Sequence, residues 1–245
     1  MPRSKAVKIM TRKLGLALVG LLFSCSLAFA QRPDLPGSLV VDIGLNSWSK
    51  LPDGLELNTF QSKTVNIIYY YDLPLGDKGF TITSGFGLGL EKYSTDNNTT
   101  LTSAVNNNNE RVVAVTQLSD IISNANSFGK SKIGLNYFDI PVELRYYSNK
   151  NNFSRGFRGA LGIKAGILYS SFTKIRYEDA ATDKRLIKDR QQLGFNRFRY
   201  GINARVGFGG FSFFGFYELS DKFEFAPTNG TDTRTLTIGI SLTGF

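Results

Sequence analysis

The stretch 134–147, GLNYFDIPVELRYY, has two faces that suit different surroundings. As a β-strand it places mostly apolar and aromatic side chains on one face, because successive side chains point to opposite sides. The other face carries Asp139, Glu143 and Arg145. A long strand that is apolar outside and charged inside is typical of a transmembrane β-barrel. Pro141 cannot donate a hydrogen bond to the sheet, so we expect a bulge there within one continuous strand.

Three parts of the chain resemble a known family of membrane proteins. In the first, an aromatic residue and a short acidic gap precede Ile140 and Pro141, and an apolar, basic and aromatic run follows. The others are the Gly-rich, aromatic strand that ends in FYELS at 216–220 and a final apolar strand that closes on Phe245. Together they resemble the PorT-like outer-membrane β-barrel domain family of Bacteroidota. The resemblance implies a barrel fold and, from the family's namesake, a link to a secretion apparatus.

Residues 1–30 have the organisation of a cleavable signal peptide. Five basic residues precede an apolar core at 14–27, and the small-residue cleavage site Ala-Phe-Ala stands directly before Gln31. We therefore predict a signal peptide at 1–30, one outer-membrane β-barrel domain at 31–245, and export to the cell outer membrane. The alternatives are a lipoprotein signal around Cys25 and a transmembrane anchor. The apolar run is shorter than the roughly 18 residues that a spanning helix needs.

The composition argues against catalysis and against a nucleic-acid partner. Removing the five basic residues of the signal from a net charge of +9 leaves +4, with no basic tail or helix. The chain has no histidine, and its only cysteine, Cys25, leaves with the signal. It therefore cannot build a Ser-His-Asp triad, a histidine-based zinc site or a disulfide. We predict no enzyme activity, cofactor or metal; a carboxylate site on Glu143 or Glu91 is the remaining catalytic alternative.

The mature chain divides into eight candidate strands, each long enough to cross a membrane. Their predicted bounds are 37–48, 63–73, 79–93, 133–148, 156–172, 193–209, 211–225 and 233–245. The connections alternate between short and long, as they do in barrels with short periplasmic turns and long outer loops. We predict an all-β fold: an eight-stranded antiparallel up-and-down transmembrane β-barrel with long extracellular loops at 49–62, 94–132, 173–192 and 226–232. Both termini then face the periplasm, and residues 111–122 form a short helix or an extra hairpin.

The charged faces of the strands define the expected interior of the barrel. In the sixth predicted strand, Arg197, Arg199 and Arg205 have the opposite parity to the apolar residues. A lipid-facing arginine near the membrane centre costs about 2–4 kcal/mol, so this face must point inward. An eight-stranded barrel is just wide enough for side chains to fill it. We therefore predict a plugged, poorly conducting lumen, stabilised by a structural charge network of Asp42, Asp139, Glu143, Arg145, Lys164, Arg197, Arg199 and Arg205.

Three further patterns concern the barrel interior, the register of one strand and the membrane surfaces. Gly85, Gly87 and Gly89 recur at every second position of a predicted strand, which indicates small interior residues rather than a phosphate-binding loop. In the seventh strand, Phe214 and Phe216 share parity with Glu218, so either the interior holds two phenylalanines or a bulge shifts the register. Aromatic residues near strand ends predict girdles at the membrane surfaces: Tyr69, Tyr71, Tyr93, Tyr146, Tyr169, Phe172 and Phe195.

Three classes of function are compatible with these patterns. We favour a non-enzymatic structural or interaction protein of the envelope, linked to a secretion apparatus as in PorT. The alternatives are a small passive pore and a barrel enzyme with an unrecognised carboxylate site. The expected partners are outer-membrane lipid and envelope or secretion-machinery proteins, which the protein would contact through loops 94–132 and 173–192.

Overall fold

The computed structural model describes residues 37–105, 111–149, 156–190, 193–224 and 232–243. Eleven strands and one short helix lie in these ranges. They are β1 (Ser38–Trp48), β2 (Leu57–Pro74), β3 (Phe80–Thr95), β4 (Thr99–Val105), β5 (Arg111–Gln117), α1 (Leu118–Ile121), β6 (Ala125–Tyr147), β7 (Phe157–Asp179), β8 (Lys184–Asp189), β9 (Phe198–Phe208), β10 (Phe211–Glu218) and β11 (Thr235–Thr243). The proposed signal at 1–30 and the terminal Phe245 lie outside the described residues.

Eight of the strands form a closed antiparallel ring in the order β1-β2-β3-β6-β7-β9-β10-β11. The ring closes where β1 pairs with β11, from Val40 opposite Thr243 to Trp48 opposite Thr235. Each strand pairs with neighbours on both sides, so the ring has no open edge. Closure matters in a membrane, because lipid cannot satisfy the backbone groups of an exposed edge. The predicted eight-stranded barrel is confirmed.

The outer wall of the ring is apolar. Outward-facing positions carry large hydrophobic side chains that are well exposed, including Phe86, Ile140, Leu161, Ile163, Phe198, Phe213 and Ile238. In water such a continuous apolar surface would mark a binding site or an aggregation hazard. On a closed barrel it is the band that faces lipid.

The two ends of the barrel differ. At one end, here called the turn end, β2 joins β3 through 75–79 and β9 joins β10 through Gly209 and Gly210. Gly209 has a φ of 60°, which glycine adopts without steric cost. The β6–β7 connection is at the same end and lies mostly outside the described residues. The longer connections meet at the opposite end, here called the loop end.

β6 and β7 each run for 23 residues, well past the predicted strand bounds, and project beyond the loop end. β8 pairs with this extension of β7, and β4 and β5 form a separate two-stranded hairpin. The stretch 111–122, predicted as a helix or an extra hairpin, contains β5, whose hairpin partner β4 precedes the stretch, followed by the single helical turn α1. Among the described residues, no helix has the length and apolar character needed to cross a membrane.

The strand pairing tests the bulge that was expected at Pro141. The expected bulge at Pro141 is wrong: Ser84 faces Val142 and Gly87 faces Asp139, so the β3–β6 register is the same on both sides of the proline. The pairs between these two are missing instead, because proline has no N–H to donate. Within the barrel wall the β6–β7 register shifts at the Asn136–Tyr137 step, where the extra residue is Tyr169 of β7, and two further shifts lie in the extension of β6, between Ala125 and Ser131.

β10 keeps one register along its whole length against both neighbours. Phe214 and Phe216 are buried on the same face as Glu218. Of the two alternatives for this strand, the interior therefore holds two phenylalanines, and no bulge is present. Their rings occupy lumen volume that would otherwise require polar side chains or water.

Candidate functional site: the filled interior of the barrel

The half of the interior nearer the turn end is built around Arg205 of β9. Its guanidinium donates to both carboxylate oxygens of Asp42, at 2.6 and 2.9 Å, and its Nε donates to Glu143 Oε1 at 3.1 Å. Glu143 also accepts from Arg145 Nε at 2.7 Å. We call Asp42, Glu143, Arg145 and Arg205 the turn-side layer. All four side chains are almost fully removed from solvent.

Neutral donors complete the turn-side layer. Tyr70 Oη and Asn203 Nδ2 donate to Glu143 Oε1 at 2.9 and 2.6 Å. Asp42 accepts from Ser241 Oγ at 2.7 Å and from Asn66 Nδ2 at 3.3 Å. Each carboxylate is thus bonded to charged and neutral donors from several strands, which is how a buried charge becomes tolerable.

A second cluster, the loop-side layer, surrounds Arg199 and lies farther from the turn end. Arg199 donates to Asp139 Oδ2 at 2.8 Å and also pairs with Glu91. Lys222 Nζ lies 3.2 Å from Glu91 Oε2 and 2.9 Å from Glu218 Oε2. The layer joins β3, β6, β9 and β10 with the chain that follows β10. Its five members are Glu91, Asp139, Arg199, Glu218 and Lys222. Lys164 lies on the turn-end side of the layer, with its Nζ 3.6 Å from Asp139 Oδ2.

Aromatic rings and glycines shape the space around these charges. The Arg199 guanidinium lies 3.6 Å from the ring centre of Tyr137, and Lys164 Nζ lies 3.9 Å from that of Phe216. Such cation–π contacts strengthen when water is excluded. A Cβ built at Gly89 or Gly166 would overlap the carboxylate of Asp139. Glycine at these two positions therefore leaves the room that the Asp139–Arg199 pair occupies.

Above the loop-side layer the interior changes from charged to apolar. Trp48 packs against Tyr93 with ring centres 4.7 Å apart, and Phe195 stacks on Phe223 at 4.9 Å. We call eight members of this larger buried cluster the apolar cap: Trp48, Leu55, Tyr93, Leu101, Val113, Leu193, Phe195 and Phe223. Leu101 and Val113 come from the β4–β5 hairpin, so the hairpin packs onto the loop end of the barrel.

Comparison with known proteins agrees with this architecture. The model of a family described as "Outer membrane protein beta-barrel domain" matches residues 29–225, which is most of the chain. The chain belongs to this family. A barrel of this family that closes without an edge and carries a lipid-facing band is a protein of the cell outer membrane.

Solved structures show more distant likenesses to this barrel domain. Ail, the attachment invasion locus protein of Yersinia pestis, was solved with the heparin analogue sucrose octasulfate. It is 12% identical, with 86% of this chain and 100% of Ail covered and a TM-score of 0.32. A mutant porin of Rh. blastica is also 12% identical, with 85% and 99% covered and a TM-score of 0.21. A search of curated proteins found no match.

Within the barrel domain, the structure brings together all of the residues predicted for the lumen network except Arg197. Arg197 is exposed and precedes β9, which begins at Phe198. The predicted strand starts at 193, but Gly194 has a φ of 68°, Phe195 forms an isolated bridge to Phe223, and regular pairing starts only at Phe198. Including Arg197 in the network was therefore wrong, because strand alternation was extended past the true strand end.

Three members of the loop-side layer were not predicted for the network: Glu91, Glu218 and Lys222. The signal for them was present in the sequence. Glu91 continues the inward parity of the β3 glycines, and Glu218 shares that of Phe214 and Phe216. Lys222 follows Glu218 by four positions and so has the same parity, although β10 ends at Glu218. Tyr93 and Phe195 were assigned to membrane girdles, which is wrong, since both are buried in the apolar cap.

A small cavity remains beside the turn-side layer. A cavity of about 20 Å³ lies at the turn end beside Arg145, Arg158 and Arg205. That volume is enough for about one water molecule. Arg158 donates to Ser212 Oγ at 2.8 Å and to Thr243 Oγ1 at 2.9 Å across this end. Among the described residues, no group of three or more His, Cys, Asp or Glu side chains is arranged to hold a metal ion.

Proposed function

We propose that this outer-membrane barrel is a sealed, non-enzymatic scaffold whose extracellular elements interact with other envelope components. One observation carries the proposal: two layers of paired charges fill the lumen, and an apolar cap covers them. An eight-stranded barrel has little interior to spare. A solute would have to separate buried ion pairs and then cross the cap, and separating a buried pair costs several kcal/mol.

The same contacts argue against a carboxylate enzyme. A general base must present a lone pair to its substrate. Glu143 accepts from two arginines, a tyrosine and an asparagine, and Glu91 accepts from Arg199, Lys222 and Tyr93. Both carboxylates lie within the filled interior, where a substrate has no room. Their proposed role is to hold the barrel strands together.

The proposal includes an orientation and a set of partners. Short turns on the periplasmic side and long loops outside are the usual arrangement of such barrels. Loops 94–132 and 173–192, which include the β4–β5 hairpin and β8, then face the exterior and are the proposed contact surfaces for envelope proteins. A signal peptide at 1–30 delivers the domain 31–245. The PorT-like motif at 134–147 supports a finer proposal, that the partners belong to a secretion apparatus.

The first test is electrical. Refolded protein in planar bilayers should show no steady single-channel conductance. The matched positive control removes both arginine–aspartate pairs and the cap tryptophan together, as Asp42→Ser/Arg205→Ser/Asp139→Ser/Arg199→Ser/Trp48→Ala, and should conduct if it retains the gel mobility shift of a folded barrel. A large, steady conductance of the wild-type protein would refute the sealed scaffold and favour the small passive pore.

The second test concerns partners. Crosslinking in intact cells through residues of β8 should capture envelope proteins, and a deletion strain should lose secreted cargo if the secretion link is right. Normal secretion in the deletion strain, together with capture of unrelated envelope proteins, would remove the secretion link but leave the scaffold.

A further inference from the structure

A row of cations crosses the outer wall of the barrel near the loop end. Lys63 of β2 lies directly opposite Lys92 of β3. Farther round the wall, Lys132 of β6 lies opposite Lys174 of β7, which in turn lies opposite Lys188 of β8. The row thus contains three directly opposed lysine pairs. Like charges at directly opposed positions destabilise a sheet.

Within the described part of the chain, no carboxylate forms an ion pair that relieves this repulsion. None of the ion pairs between described residues includes a member of the row, nor Lys130 or Arg176 beside it. The contrast with the interior is clear, since every lumen cation of the two layers has a carboxylate within 4 Å. The row therefore has a net positive charge that an external anion can neutralise.

The cations surround a shaped surface rather than a flat one. A concavity of about 330 Å³ is lined by Lys92, Lys130, Lys132, Phe172, Lys174, Arg176 and Lys188. Phe172 forms its floor: it lies opposite Gly134, and a Cβ at Gly134 would overlap the Phe172 ring. Lys188 Nζ lies 4.3 Å from the centre of the same ring. The ring is thus held flat against the wall, with ammonium groups around it.

The position of the concavity identifies its occupant. Lys92 is the next outward-facing residue after Leu90, on the face that carries Phe86 and Leu88 lower on the wall. The cations therefore begin on the outer wall where the lipid-facing band ends. That is the level of lipid headgroups.

We propose that this concavity, the cation collar, binds the phosphate groups of a phosphorylated glycolipid in the outer leaflet. Lysine ammonium groups bind phosphate as point charges, and the Phe172 ring gives the sugar or the first acyl carbons an apolar surface. The inference rests on the orientation proposed above, which places the loop end outside.

The test uses the folded full-length barrel in neutral detergent, titrated with bisphosphorylated lipid A and with the same lipid after removal of both phosphates. Binding and the thermal unfolding midpoint are measured. The variant Lys174→Ser/Lys188→Ser should bind bisphosphorylated lipid A about 30-fold more weakly, from about fivefold per lysine at an anionic surface. In lipid-free detergent the same variant should unfold at or above the wild-type temperature, because repulsion has been removed.

The control variant is Lys78→Ser/Lys184→Ser, which removes two lysines outside the collar and should bind as the wild type does. Equal binding of the dephosphorylated lipid, or wild-type affinity in the Lys174→Ser/Lys188→Ser variant, would overturn the proposal. Binding of heparin without binding of lipid A would overturn it too and assign the cations to a soluble polyanion. Channel activity would refute the sealed lumen without affecting these results.

Discussion

Replacing Glu143 should destabilise the barrel more than replacing Glu143 together with Arg145. Glu143→Gln preserves shape but removes the charge that Arg145 Nε contacts at 2.7 Å. The nearest remaining carboxylate of Arg145 is that of Asp72, whose Oδ1 lies 3.7 Å from Arg145 Nη1. Arg205 is less affected, because it keeps both oxygens of Asp42. Arg145 is therefore the cation that becomes poorly neutralised.

The expected loss of unfolding free energy follows from the poor neutralisation of Arg145. Removing one partner of a buried ion pair costs about 3–5 kcal/mol, and the contact of Arg145 with Asp72 places Glu143→Gln near the lower limit. Glu143→Gln/Arg145→Met leaves no orphaned charge and should recover at least about 1 kcal/mol of the free energy of unfolding relative to Glu143→Gln. The gain is limited because Arg145→Met also removes the guanidinium that lies 4.1 Å from the Tyr70 ring centre.

The measurement is urea unfolding of the refolded barrel in lipid vesicles. Trp48 is the only tryptophan of the chain and is buried in the apolar cap, so its fluorescence reports the loss of native structure. Arg185→Met is the matched control, because Arg185 is an exposed arginine near the β7–β8 turn, and it should leave the midpoint unchanged. Additive losses in the double variant, or a Glu143→Gln variant as stable as the wild type, would refute the buried-pair reasoning.

Three other outcomes are expected. Gly166→Ala should lower the free energy of unfolding by about 1–3 kcal/mol, because its Cβ displaces the buried ion pair beside it. Gly215→Ala, whose Cβ meets nothing closer than 3.9 Å, should cost less; equal losses would contradict the role of the glycine. Trp48→Ala should cost about 3–5 kcal/mol in urea unfolding yet leave planar bilayers non-conducting, since the charged layers remain; channel opening would make the cap the sole seal. Cysteine at Thr182 should react with an impermeant maleimide on intact cells and cysteine at Lys78 only after the outer membrane is opened, and the reverse pattern would invert the proposed orientation.

Much of the barrel follows from alternation in the sequence. A strand that is apolar on one face and charged on the other fixes which side chains face lipid, so the ring and most of its lumen residues could be predicted. Alternation gives no information about where a strand ends or bends. Arg197 was misassigned for that reason, because the irregular stretch before β9, with its bend at Gly194, has no periodic signal.

The apolar cap could not be predicted, because it forms only when separate segments of the chain meet at the loop end of the folded barrel. Tyr93 and Phe195 are aromatic residues near strand ends, and in the sequence they look the same as membrane-girdle residues. Only the three-dimensional arrangement shows that the strand ends at Tyr93 and Trp48 converge with the chain around Phe195 and Phe223. The β4–β5 hairpin then adds two apolar residues from a loop whose composition is mostly polar.

The β1–β11 seam has a consequence for the order of folding. Asp42 and Ser241, which bond across it, are separated by 199 residues, whereas the β9–β10 hairpin joins strands across two glycines. Loop-closure entropy makes the seam about 3–4 kcal/mol harder to close than that hairpin by polymer scaling. Hairpins such as β9–β10 should therefore form early and the seam last. Until the final strand is in place, β1 has an unsatisfied edge that is open to pairing with other chains, so the nascent sheet is exposed to aggregation for as long as the seam is open.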